Sequence, residues 1–275
     1  MNKYLLKKKL IRKIVNLILH FLRYIYLIKI NKFEIEISAL NKIINKDYIC
    51  LDIGCCHGSY ARIMSKFGKF VYAVEPEKQN FIYLKDVLIN KNIDLSNIAI
   101  SNKNITSNLY IPINKKKNLT ALSSLSNNFT EFKFSNKFKV QKVKNVTLDK
   151  FIKIKKIKKI DFIKIDVEGL EFAILQKSIF ILKNLKPLFM IEIHKDKNNI
   201  YIKTFNLMTK MKYECFYLSR ETNKLKKFKL KDIKTLQSEK FKIIKNKDFF
   251  DQSYIQNFFF IPNNKVKEIL KLVSK

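Results

Sequence analysis

One stretch constrains the fold more than any other: Tyr48-Ile49-Cys50-Leu51-Asp52-Ile53-Gly54-Cys55-Cys56-His57-Gly58-Ser59-Tyr60. The apolar run from Tyr48 to Ile53 reads as a buried parallel strand. It stops at Gly54, a second glycine follows at Gly58, and helical spacing begins near Ser59. A strand, a glycine turn and a helix start in that order make a cradle for a ligand. Glycine lets a ligand approach the backbone, and the helix start offers free N–H groups. The chain has only four glycines in 275 residues. Two of them four positions apart after a strand are therefore read as a built turn rather than as filler.

The residues between the glycines narrow the ligand. A dinucleotide cradle reads G-x-G-x-x-G, with backbone pressed against a pyrophosphate. Here Cys56 stands where the middle glycine belongs. The pattern Asp52-x-Gly54-x-x-x-Gly58 better suits a nucleoside without phosphates, with Asp52 facing a sulfonium amino-acid end, as in S-adenosylmethionine. The next apolar run, Phe70 to Val74, ends at Glu75. An acid at the tip of the second strand, roughly 20 residues beyond the glycine turn, has the reach to hydrogen-bond ribose hydroxyls. A third strand is expected over 97–101, with Ser101 at its end beside the base.

A second chemical centre lies at Ile160-Asp161-Phe162-Ile163-Lys164-Ile165-Asp166-Val167-Glu168-Gly169. It reads as a buried strand ending in Asp-x-Glu-Gly, followed by a helix over 170–182. The strand after that, Pro187 to His194, ends in Glu192-x-His194. Ligands of open parallel sheets sit beyond the carboxyl ends of the strands. Asp52, Glu75, Asp166, Glu168, Glu192 and His194 all fall at such ends, and this convergence is the main chemical signal in the chain. The polar stretch 120–128 is expected as a loop over the pocket or on the surface, and 139–146 as a strand at the sheet margin. The strands over 214–219 and 257–261 are expected to pair antiparallel.

Composition is less informative than its size suggests. The net charge is +33, from 56 Lys+Arg against 23 Asp+Glu. Only four of the basic residues are Arg, Trp is absent, and Gly and Pro are scarce. The abundant Lys, Asn, Ile, Phe and Tyr are those of A/T-rich codons, so the basicity needs no nucleic-acid partner. Four cysteines without C-x-x-C spacing imply neither disulfides nor a zinc site, and reduced thiols fit a cytoplasmic protein. Residues 1–32 carry nine basic residues and no acid, interleaved with apolar ones in runs too short to span a membrane, which needs about 20 residues. Two readings stand side by side: a first helix packed on the domain, or a basic amphipathic helix in peripheral contact with a membrane. The expected organisation is a basic helical extension over 1–45 and one α/β domain over 46–275. The oligomeric state is left open.

Asp52-Ile53-Gly54-Cys55-Cys56-His57-Gly58, Glu75-Pro76, Ile163-Lys164-Ile165-Asp166-Val167-Glu168-Gly169 and Ile191-Glu192-Ile193-His194 together resemble the FkbM-family methyltransferases. The likeness covers roughly residues 48–195, and I-K-I-D-V-E-G is its most specific part. It implies a Rossmann-like class I methyltransferase with a mostly parallel seven-stranded sheet flanked by helices. It also implies S-adenosylmethionine-dependent O-methylation of a sugar, glycan or related small molecule. By this resemblance Asp52, Gly54, Gly58 and Glu75 hold the cofactor, and Asp166, Glu168, Glu192 and His194 line the reaction centre. His194 and Asp166 are the candidate bases. The hard O/N ligands of the same cluster leave a divalent metal open as a substitute for the base. Two other readings are kept: a nicotinamide-dependent oxidoreductase on the same fold, and a non-catalytic membrane-associated protein that retains it.

Overall fold

The protein is described by a computed structural model over residues 3–29, 35–114, 117–126, 137–237 and 254–274. The N-terminal part forms α1 (Lys3–Lys29) and α2 (Glu36–Ile43). Strands and helices then alternate as β1 (Ile49–Ile53), α3 (Ser59–Phe67), β2 (Phe70–Val74), α4 (Lys78–Val87) and β3 (Ile93–Ser96). An insertion follows with β4 (Ala99–Ile100), β5 (Thr106–Asn114), β6 (Lys117–Asn118) and β7 (Phe138–Val146). Alternation resumes through α5 (Leu148–Ile154), β8 (Phe162–Ile165), α6 (Glu171–Gln176), β9 (Leu188–Glu192) and α7 (Ile200–Lys210). The chain closes with β10 (Tyr213–Ser219), β11 (Lys224–Lys227), α8 (Ile233–Leu236), β12 (Asn257–Pro262) and α9 (Val266–Ser274).

The main sheet has eight strands among the described residues, in the order β11-β10-β12-β9-β8-β1-β2-β3. Neighbours from β3 through β9 are parallel. β12 runs antiparallel between β9 and β10, and β11 runs antiparallel at the edge. Strand order reverses at β1, where β2 departs on one side and β8 lies on the other. That switch point is where open α/β sheets hold their ligands. The expected seven-stranded sheet thus gains β11, whose lysine-rich sequence carries no apolar pattern; residues 238–250 of the same Lys-rich stretch lie outside the described residues.

Strands of the central sheet are covered on both faces, so alternate residues feed two cores. Leu51, Ile163, Phe189, Phe258 and Phe260 join one, packed under α5, α6 and α7. Cys50, Phe162, Met190 and Phe259 join the other, under α2, α3 and α9. α2 enters this second core through Ala39, Leu40 and Ile43. Two helix starts carry side-chain caps: at α4 Glu77 accepts from the Asn80 N–H at 2.7 Å, and at α5 Thr147 from the Lys150 N–H at 3.3 Å.

Three local readings differ from the structure. The third main-sheet strand is 93–96, not 97–101; its residues are all half-exposed, so no buried run marks them. The apolar pair Ala99-Ile100 instead joins β7 in a separate four-stranded sheet, β4-β7-β5-β6. β7 therefore belongs to that sheet rather than to the margin of the main one. The helix predicted over 170–182 ends at Gln176, where Ser178 turns its hydroxyl back to the Ile174 carbonyl at 2.7 Å.

Phe189 is fully buried and meets Tyr213 edge-on at 5.7 Å. Phe189→Ala is expected to lower the unfolding free energy by about 3–5 kcal/mol in chemical denaturation. Phe180, 56% exposed, sets the comparison: Phe180→Ala should stay within about 0.5 kcal/mol of the parent.

Candidate active site

The glycine turn closes against the tip of β8. Gly54 has φ +80°, and a Cβ there would lie 1.8 Å from the Asp166 carbonyl oxygen. The Asp166 N–H in turn donates to the Ile53 carbonyl at 3.0 Å. Two strand ends thus touch where only hydrogen fits. Gly58, φ +79°, opens α3, and a Cβ there would press on Leu84 at 2.7 Å. Four N–H groups of the turn are used internally. Gly54 and Cys55 donate to the Val74 carbonyl, Cys56 to Glu75 Oε2 at 2.8 Å, and Gly58 to the Cys55 carbonyl. None of these four is turned to a pyrophosphate, which argues against the nicotinamide reading and suits a ligand without phosphates.

A cleft of about 570 Å³, counted to its open mouth, lies over this junction. Its floor includes Gly54, Cys56, Glu75, Asp166 and Glu168; its roof comes from Thr120, Ser123 and Leu125 of the loop after β6. The predicted loop over 120–128 does cover the pocket; residues 127 and 128 lie outside the described residues. Ser124 fastens the roof by donating its hydroxyl to the Glu168 carbonyl at 2.8 Å, while its backbone pairs with Tyr110. Cys56 and Glu168 both take left-handed backbone, at φ 46° and 54°. Two of the seven non-glycine residues with positive φ among the described residues thus lie in the cleft lining.

Behind the cleft runs a chain of polar contacts. Lys164, 3% exposed, donates to Asp166 Oδ2 at 2.7 Å and lies 4.6 Å from the Tyr60 ring centre. Asp166 shares a hydrogen bond with Glu192. Glu192 Oε1 lies 3.0 Å from His194 Nε2, and His194 Nδ1 lies 3.1 Å from the Tyr254 hydroxyl. Burial would raise the Asp166 carboxyl, but the Lys164 ammonium and the Glu192 hydrogen bond outweigh it and hold it below its ordinary value. Glu192 goes the other way, pushed well up by burial and then by the Asp166 charge. Glu168 rises for the same two reasons. Burial lowers His194, so its ring is neutral at pH 7. One set of proton positions satisfies every contact. Tyr254 donates to His194 Nδ1, Nε2–H donates to Glu192, protonated Glu192 donates to Asp166, and ionised Asp166 faces Lys164.

The sequence-predicted residues divide by position. Gly54, Glu75, Asp166 and Glu168 line the cleft. Gly58 shapes the turn from beneath. Asp52 is fully buried under the cleft floor, beside Lys164 in the β1–β8 register. Glu192 and His194 stand behind Asp166. Ser101 is buried outside the lining, bonded to the Lys103 carbonyl at 3.1 Å; Ala99 and Ile100 take the place on the cleft wall expected for it. Glu75 accepts from the N–H groups of Cys56 and Glu77 at 2.8 Å each, and burial pushes it up to about 8. Its remaining lone pairs are the ones suited to ribose hydroxyls. Among the described residues no group of three His, Cys, Asp or Glu side chains is arranged to hold a metal ion.

Sequence reasoning missed Tyr254 and Glu171, and gave Ser124 only as one residue of the 120–128 loop. Glu171 Oε1 accepts from the Val167 and Gly169 N–H groups at 3.3 and 3.1 Å and so ties the Asp166–Gly169 turn. An acid at the start of a helix, just after a glycine, is the local signal that marks it.

Two outcomes follow from this geometry. Gly54→Ala should lower stability by more than about 2 kcal/mol in chemical denaturation, since both its φ and its space forbid a Cβ. Burial raises Glu171 to about 7 in the fold. The folded chain then keeps a proton that the unfolded chain has released, so this contribution is complete at acid pH and lost as pH rises through about 7. Glu171→Gln keeps the acceptor without the ionisation, and thermal melts across that range should fall less steeply than those of the parent.

The profile of the methyltransferase FkbM domain matches residues 52–217, more than half of the chain. No curated protein matches. Among solved structures, methyltransferase FkbM from Methylobacillus flagellatus is similar over 79% of this chain at 13% identity, with a TM-score of 0.46. This chain covers 44% of that protein's length. Precorrin-6y C5,15-methyltransferase from Geobacter metallireducens is similar over 82% of this chain and 86% of its own, at 10% identity and a TM-score of 0.43. A protein from Streptococcus mutans, solved in complex with S-adenosylhomocysteine, is similar over 82% of this chain and 94% of its own, at 11% identity and a TM-score of 0.41. Profile match, strand order and glycine turn agree: the chain belongs to the FkbM methyltransferase family, S-adenosylmethionine-dependent enzymes on the class I methyltransferase fold.

Proposed function

We propose that this protein methylates a hydroxyl of a sugar, glycan or related small molecule, with Asp166 as the base. The carrying observation is the Asp166 carboxylate: it lines the cleft next to the Gly54 turn and is held ionised by Lys164 at 2.7 Å. S-adenosylmethionine, when bound, supplies a methyl group already activated by a sulfonium. Gly54, Gly58 and Glu75, with Asp52 beneath them, are the residues that would hold it.

What remains for the chain is alignment and the proton. A hydroxyl must lie in line with the methyl group, and fixing that geometry removes much of the barrier. Asp166 would accept the hydrogen bond of the acceptor hydroxyl and take its proton as the oxygen gains the methyl group that the sulfonium sulfur gives up. Glu168, kept neutral by burial and by the Asp166 charge, donates a hydrogen bond to a neighbouring acceptor oxygen. The hydroxyls of Thr120 and Ser123 on the roof match an acceptor rich in hydroxyls. His194 is a positioning residue: both its ring nitrogens are engaged, by Glu192 and Tyr254, so it orients Glu192 and through it Asp166.

The test is mass-spectrometric detection of methylated product over a panel of sugars and glycans, with S-adenosylmethionine as donor. On the acceptor that reacts, Asp166→Asn should cut kcat by about 100-fold or more, with S-adenosylhomocysteine affinity little changed. Lys164→Met removes the ammonium that depresses Asp166, so the acid limb of kcat/KM should move to higher pH. Full activity in Asp166→Asn would overturn the base assignment; methylation of nitrogen or carbon acceptors alone would overturn the hydroxyl reading.

A further inference from the structure

α1 is turned inside out. An amphipathic helix on a globular domain normally buries its apolar stripe and exposes its charges. Here Arg12, Asn16 and His20, one turn apart along a single line, face α4. Arg12 Nε and Asn16 Nδ2 reach Asp86 Oδ2 at 3.0 and 2.8 Å, and His20 Nδ1 meets the Tyr83 hydroxyl at 2.8 Å. His20 is buried at 7% exposure. The opposite side carries the apolar residues: eight large side chains between Leu10 and Leu22 are 46–59% exposed, Ile14, Ile18 and Phe21 among them. An exposed apolar surface that continuous marks an interaction site.

We infer that this face of α1 docks on an anionic lipid surface. Charge decides among the occupants. Lys7, Lys8, Lys9 and Lys13 are exposed on the same helix, and residues 3–29 contain no acid. A second copy of the chain would bring four like charges against four, whereas acidic headgroups complement them while the apolar side chains enter the headgroup boundary. The helix lies on the membrane rather than through it: among the described residues none is long and apolar enough to cross. The Arg12–Asp86 and His20–Tyr83 contacts then fix the body of the protein against that surface. This inference is independent of the acceptor reading above.

The test is co-sedimentation of the full chain with vesicles of phosphatidylcholine alone or with added phosphatidylglycerol. The parent should pellet with the anionic vesicles, weakly with the neutral ones, and less in high salt. The triple variant Ile14→Gln, Ile18→Gln, Phe21→Gln keeps every charge and changes only exposed positions. Its affinity should drop by about tenfold or more, with an unchanged melting temperature and S-adenosylhomocysteine binding. A parent that stays in the supernatant would overturn the proposal. So would a triple variant that pellets like the parent, since the net charge of +33 then suffices. A lipid-free dimer abolished by the triple variant would likewise overturn it in favour of a second copy.

Discussion

Lys164 carries a buried ammonium near the end of a central strand, and the polar cluster behind the cleft is arranged around it. An unpaired charge at such a place is untenable. Lys164 is answered by Asp166 at 2.7 Å and by the face of Tyr60 at 4.6 Å, and Asp52 is its register neighbour on β1. Once Asp166 is fixed as the charged partner, the other acids must give way. Burial and then the Asp166 charge push Glu192 and Glu168 well up, so a proton goes to them before it goes to Asp166. His194 and Tyr254 complete a hydrogen-bonded line that holds the order in place. A cation buried in a strand therefore selects which oxygen faces the cleft with a negative charge.

The backbone serves the same junction. Five residues at the tips of β1 and β8 take left-handed backbone, among them all three positive-φ glycines: Gly54, Cys56 and Gly58 on one side, Glu168 and Gly169 on the other. The two turns pack so closely that the Asp166 carbonyl fills the space of a Gly54 side chain. Glu171 ties the second turn from behind, and Ser124 fastens the roof to it from above. The insertion between β3 and β8 thus does more than decorate the sheet. It closes the cleft through one serine, and it contributes hydroxyls and apolar wall to it.

How much of this was legible depends on whether a feature is local. The β1–turn–α3 unit, β2 ending at Glu75 and β8 ending at Asp166 are written in short apolar runs and glycine spacing, and the structure has them where expected. Tyr254 is not written locally at all: it meets His194 across 60 residues, and no period or motif links the two. The third strand was misread because an edge strand with Asp94 and Ser96 lacks a buried run, while the apolar pair beside it serves another sheet. In α1 the sequence left packing and membrane contact as alternatives. The structure pairs Arg12, Asn16 and His20 with α4 and leaves the large apolar side chains between Leu10 and Leu22 outward, an orientation that periodicity alone does not supply.

The most direct measurement is carboxyl carbon NMR of the full chain with ¹³C-labelled Asp and Glu, assigned through Asp166→Asn and Glu192→Gln. At neutral pH the account predicts an ionised Asp166 resonance and a protonated Glu192 resonance, with Lys164→Met driving Asp166 toward its protonated shift. An ionised Glu192 beside a protonated Asp166, or an Asp166 signal indifferent to the loss of Lys164, would contradict it.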